Sequence, residues 1–164
     1  MKTWWKLALI AAPLAATASV AIAGTPTGSL KLGMAKPAVL ALPWAAGGFS
    51  CEARRASDPQ GLTVEVCRHA AVTAVFSRSS GEPGRLIAYV ETGPARLADQ
   101  TLETVRQQWG EPQRTSGAGA GKRLTWTAAG REVVWQGGGD AFRLEISDEY
   151  ARRAARSLGV FAAR

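Results

Sequence analysis

Residues 49–70, FSCEARRASDPQGLTVEVCRHA, hold both cysteines and the single histidine of a 164-residue chain. Three chemistries use such residues: a thiol–imidazole nucleophile, a metal site or a disulfide. Cys67 and His69 are two positions apart, so on a strand they share a face with their bases about 7 Å apart. A thiolate and its base need hydrogen-bond reach, which this spacing does not give. A zinc site from Cys51, Cys67 and His69 lacks short paired ligand spacings and a fourth ligand. The stretch Asp58-Pro59-Gln60-Gly61 carries turn chemistry, with proline at the second position and glycine at the fourth. Folding there brings Cys51 almost opposite Cys67. A strict two-residue turn pairs Cys51 with Arg68, so an offset of one residue is expected. The sequence therefore predicts a Cys51–Cys67 disulfide, worth roughly 3 kcal/mol in the chain-entropy account. His69 becomes a partly exposed residue at a strand end, and no metal site is expected.

The N-terminus supports an oxidising compartment. Lys2 and Lys6 precede an apolar run from Leu7, and Ala21-Ile22-Ala23 forms a small-x-small signature before Gly24. This reads as a secretory signal peptide over residues 1–23, cleaved after Ala23, with a periplasmic or secreted product. No cysteine stands at the cut, and no later run is apolar enough to span a bilayer. The mature part, 24–164, suits one compact domain. Formal net charge is +7, falling to +5 without Lys2 and Lys6, and arginine outnumbers lysine 15 to 5. With abundant alanine and glycine, that excess fits a GC-rich bacterial genome, and nucleic acid is not an expected partner.

Other catalytic patterns are missing. There is no Gly-x-Ser-x-Gly and no His-Glu-x-x-His. GAGAGK at 117–122 lacks the Ser/Thr after its lysine and precedes a strand, so no helix N-terminus points at a phosphate. Glu91, Asp99, Glu103, Asp140 and Glu145 are scattered, although folding can pair carboxylates as in glycosidases. No catalytic residue and no cofactor are expected. Trp126 and Trp135 lie on neighbouring strands, either as core buried against the last helix or as a recognition surface. Arg152, Arg153 and Arg156 form the densest basic cluster, a solvated helix face able to make weak contact with an anionic surface. These five residues are the candidate partner-binding positions.

The positioning elements follow from pattern. A short helix begins near Pro37 with Val39, Leu40 and Leu42 on its apolar side, limited by Pro43. Strands are expected at 49–55, 62–67, 71–76 and 85–91. The clearest helix carries Ala98, Leu102, Val105 and Trp109 as one stripe, with Thr101 as its N-cap and Gly110 as its stop. TSGAGAG reads as a flexible loop. Residues 122–147 read as a three-stranded meander in which Leu124 and Trp126, Val133 and Trp135, and Phe142, Leu144 and Ile146 share faces. A last helix at about 148–158 has Ser147 as cap and Gly159 as stop.

The fold class is thus α+β: two tandem helix-plus-antiparallel-meander modules, about 33–91 and 101–148, sharing a core, with a short C-terminal helix. Two such halves bury the sheet faces that each alone leaves bare. LGMAKPAVLAL resembles the Gly-Met-Thr/Ser-x-x-x-Val helix opening of the small-protein-A type domain, found in the outer-membrane assembly lipoprotein BamE. TLETVRQQWGEPQRT followed by LTW is similar to that family's helix, Gly-x-Pro and Trp-containing strand. The β-lactamase inhibitory protein fold uses a tandem of similar units. The chain departs from the pattern in its missing lipobox cysteine, in Ala35 at the cap and in Pro43. The resemblance implies a non-catalytic protein-interaction module. The expectation is an exported protein-binding module of the bacterial envelope, of inhibitor or assembly-accessory type, with another envelope protein as partner. The rivals are an envelope hydrolase of unfamiliar type and a basic binder of anionic envelope components.

Overall fold

A computed structural model describes residues 26–56, 63–78 and 81–161. The expected signal peptide, its cut after Ala23 and the turn at Asp58-Pro59-Gln60-Gly61 lie outside the described residues. The described chain is α+β. Short helices α1 (Pro26–Ser29) and α2 (Lys36–Leu40) come first, with Pro37 in the first turn of α2. Pro43 opens a separate 3-10 turn, Pro43–Ala45, because its ring cannot continue the helix. Four strands follow: β1 (Ser50–Arg55), β2 (Thr63–His69), β3 (Val72–Ser77) and β4 (Leu86–Pro94). Helix α3 (Ala98–Trp109) leads to β5 (Arg114–Ser116), β6 (Lys122–Ala128), β7 (Arg131–Gly138) and β8 (Ala141–Asp148), and α4 (Glu149–Ser157) closes the sequence.

All eight strands form one antiparallel sheet in the order β1-β2-β3-β4-β8-β7-β6-β5. The first and second groups of four are each a meander, and they meet where β4 pairs with β8, Ala88 opposite Ser147 through Pro94 opposite Ala141. The β6–β7 turn has two residues, Ala129 (φ 49) and Gly130 (φ 73). Both positive angles match the mirror-image turn that follows strand twist.

The sheet buries both faces. On one, Leu102 and Val105 of α3 and Val39 of α2 pack on Phe76, Leu86, Tyr89, Leu124, Trp126 and Leu144. On the other, Ala151 and Ala155 of α4, with Val160 and Phe161 beyond it, pack on Val64, Val66, Val75, Ala88 and Val90. Strand alternation delivers each set to its own face, with a bulge in β4 opposite Val75 and Phe76 that lets Leu86 share the face of Tyr89.

Three local expectations are corrected. Thr101 does not cap α3. The 3-10 turn Ala95–Leu97 runs straight into the helix, which starts at Ala98 with Leu97 at the cap. Thr101 is fully buried inside the helix and its hydroxyl has no hydrogen-bond partner among the described residues. Ser147 does not cap α4. It is a buried residue of β8, and Asp148 accepts a bond from the Ala151 N–H at 2.6 Å. The TSGAGAG loop is not featureless either, since Thr115 and Ser116 belong to β5 and pair with Leu124 and Arg123.

Candidate functional site

The disulfide Cys51–Cys67 is formed, and the two residues stand directly opposite, with Cα atoms 4.0 Å apart. Arg68 pairs with Ser50, which is the expected one-residue offset. Cys67 is fully buried and Cys51 is exposed. The two sulfurs and the Glu65 carboxylate lie within 4.8 Å of one another. The sulfurs are committed to each other, and Glu65 is held by the Lys36 ammonium at 2.6 Å. This cluster is therefore architecture. His69 ends β2, half-buried, with its ring centroid 5.2 Å from Phe49 and 6.0 Å from Trp44.

The two tryptophans proposed as contact residues are core. Trp126 is fully buried and Trp135 is 4% exposed. They lie beneath α3 and not beneath the last helix, because Leu124, Trp126, Val133 and Trp135 alternate onto the α3 face. Trp126 Nε1 donates to the Gly110 carbonyl at 2.8 Å, tying strand to helix end. A Cβ on Gly137 would meet the Trp135 ring at 1.9 Å, so the indole occupies the space a side chain would need. Neither ring is offered to a partner.

The basic cluster divides. Arg152 and Arg156 turn toward β7, where the Glu132 carboxylate is 2.8 Å and 3.8 Å from their guanidinium groups. Arg153 is exposed. Glu145 on β8 is likewise held by Arg143 at 2.7 Å, and Arg143 also donates to the Val160 carbonyl.

Beside α4, the same sheet face is open. Here the register sets out mostly polar rows: Ser116, Arg123, Gln136 and Arg143 in one, Arg114, Thr125, the buried Val134 and Glu145 in the next, Thr127 and Glu132 in a third. Between β5 and α4 lies a hollow of about 650 Å³. Its walls are Arg114, Thr115 and Ser116 on β5, Arg123 and Thr125 on β6, with Gln113 and Glu132 at its ends. Gln113 is part of the frame, its Oε1 accepting from the Thr127 N–H at 2.7 Å. Arg114 and Arg123 form no ion pair among the described residues. The hollow thus offers two guanidinium groups and several hydroxyls, while its carboxylate is already engaged by α4. Such a set binds anions, since guanidinium groups recognise carboxylates through paired donors.

Two carboxyls elsewhere are perturbed. Burial pushes the Glu91 pKa above its ordinary value, partly offset by the bond from the Thr27 hydroxyl. Bonds from Arg68 and Arg54 hold Glu52 below its ordinary value on the β1 edge. Neither lines the hollow.

Sequence reasoning missed Arg114 and Arg123. The signal was available in KRLTWTA, where Leu124 and Trp126 alternate with Arg123, Thr125 and Thr127. Placing two residues in the core places the other three on the opposite face.

No protein-family model matches the chain, and no curated protein or solved structure matches it. Among the described residues, no helix is long and apolar enough to cross a membrane.

Proposed function

We propose that this chain is an exported, non-catalytic binding module of the bacterial envelope, cleaved after Ala23, that holds a partner protein on the open half of its α4 face. The observation that carries this reading is the pair of arginines, Arg114 and Arg123, in no ion pair among the described residues, on a sheet face beside a carboxylate that is already neutralised. The acids nearest the hollow, Glu132 and Glu145, are tied to arginines, which suits them to structural work rather than proton transfer. The disulfide supports an oxidising destination, periplasmic or extracellular.

The tandem reading belongs to the same proposal. Short helices precede β1 to β4, α3 precedes β5 to β8, and the last strand of each group lies at the junction. That order supports likeness to the small-protein-A type domain and to the tandem units of the β-lactamase inhibitory protein.

The test is photo-crosslinking in the envelope. A photoreactive side chain at position 123 is expected to give a discrete protein adduct, lost when Arg114→Glu is added. The same group at Arg78 serves as control. Equal adducts from both positions would overturn the assignment of this face.

A further inference from the structure

The two edges of the sheet are unlike. On the β1 edge, Glu52 binds Arg54 at 2.7 Å and also Arg68, Arg55 stands exposed at the strand end, and the disulfide fastens β1 to β2. At the other end, β5 is a terminal strand paired only with β6, and all three of its residues are exposed. Among the described residues, its outer N–H and C=O groups face no strand. Its charge is one-signed, from Arg114, with Arg123 beside Ser116 in register on the next strand.

We propose that β5 receives an extended acidic segment of a partner protein, which pairs along it as a further strand and sets carboxylates on Arg114 and Arg123. This rests on the binding function proposed above and names the partner's chemistry. Strand addition of this kind takes affinity from main-chain bonds and specificity from alternate side chains. Alternate residues of an added strand stand about 6.8 Å apart on one face. That period matches Arg114 and Ser116, so acidic residues at every second position project into the hollow. Two arginines, Arg114 and Arg123, line it, against one glutamate, Glu132, whose charge Arg152 and Arg156 already meet. The local balance favours an acidic occupant. The walls contain no apolar side chain to enter a bilayer and no ring on which a base could stack, which disfavours a lipid surface or a nucleic acid.

The experiment is fluorescence anisotropy on the full mature chain. The probe is a short labelled peptide alternating glutamate and threonine, with a glutamine–threonine peptide as neutral control. The acidic peptide is expected to bind and the neutral one to bind at least about tenfold more weakly, with affinity falling as salt rises. The double variant Arg114→Glu/Arg123→Glu, checked for an unchanged melting transition, is expected to reject it and to accept a lysine–threonine peptide instead. N-methylation of the acidic peptide at alternate backbone nitrogens is expected to abolish binding when it falls on the pairing edge. If both N-methylated registers bind as tightly as the parent, strand addition is wrong, although a partner on the arginine face survives. If anionic vesicles displace the bound peptide from the wild type, the occupant is a lipid surface and both readings fall.

Discussion

The Arg152 guanidinium of α4 stands 2.8 Å from the Glu132 carboxylate of β7, and both side chains are largely withdrawn from water. This pair holds the last helix over the sheet while fixing one end of the hollow. Glu132→Ala leaves Arg152 and Arg156 facing a vacated site, and should cost about 2 kcal/mol. A double-mutant cycle with Arg152→Ala measured by urea unfolding checks it. A coupling energy near zero would mean that α4 is held by its alanines alone.

Glu91 should make stability depend on pH in an unusual direction. It is 3% exposed and accepts a bond from the Thr27 hydroxyl. Its folded pKa is raised by burial above 4.5. The folded state therefore holds the proton more tightly, so the contribution of this residue is greatest below about pH 4.3 and is lost as pH rises through the folded value. Glu91→Gln keeps an acceptor for Thr27 and removes the charge. Urea midpoints across that window should slope downward with pH in the wild type and less so in the variant. Parallel slopes would refute the assignment.

Gly137→Ala should destabilise the fold by about 1–3 kcal/mol through overpacking. The added carbon would meet the Trp135 ring at 1.9 Å, and Gly93 stands in the same relation to Phe142 at 2.4 Å. Both glycines flank Phe142 in register, one on each neighbouring strand. Trp135→Phe combined with Gly137→Ala should recover part of the loss in a thermal melt, whereas additive losses would show that the ring is not the obstacle.

Ala129→Asn should raise stability by about 1 kcal/mol or less. Ala129 sits at φ 49 in the turn before Gly130. Asparagine tolerates that region better than alanine, and Asn-Gly is the favoured pair for this turn. A lowered melting temperature would indicate that the alanine side chain makes a contact worth more than the strain.

Replacing Cys51 and Cys67 by serine should lower stability by about 3 kcal/mol, seen as a shifted urea midpoint relative to the oxidised chain. Because Cys67 is fully buried, part of that loss is the burial of a hydroxyl, and Cys→Ala at the same positions separates the two effects.

The fold was legible where one local signal dominated. Gly110 ended α3, Pro37 opened α2, and the alternation of Leu124 with Trp126 placed a strand, because backbone geometry decides each of these. The disulfide was legible because the chain has two cysteines, on neighbouring strand candidates, in a sequence that reads as exported. Thr101 misled because capping chemistry reads only neighbours, while the preceding 3-10 turn had already begun the helix. The open face was hidden for another reason. Whether Arg123 or Arg152 is free depends on which carboxylate α4 meets across the sheet, and Glu132 is distant in sequence from Arg152 and Arg156, the two arginines of α4 that it meets.

The joining of β4 to β8 has a temporal side. Ala88 waits for Ser147, so the middle of the sheet cannot close until β8 is present. Chain made from its N-terminus therefore carries β1 to β4 with the β4 edge raw, and α4, which covers that junction, arrives only after β8. The seam between the two meanders is the final thing such a molecule completes, and a truncation that removes β8 leaves an adhesive half rather than a smaller protein.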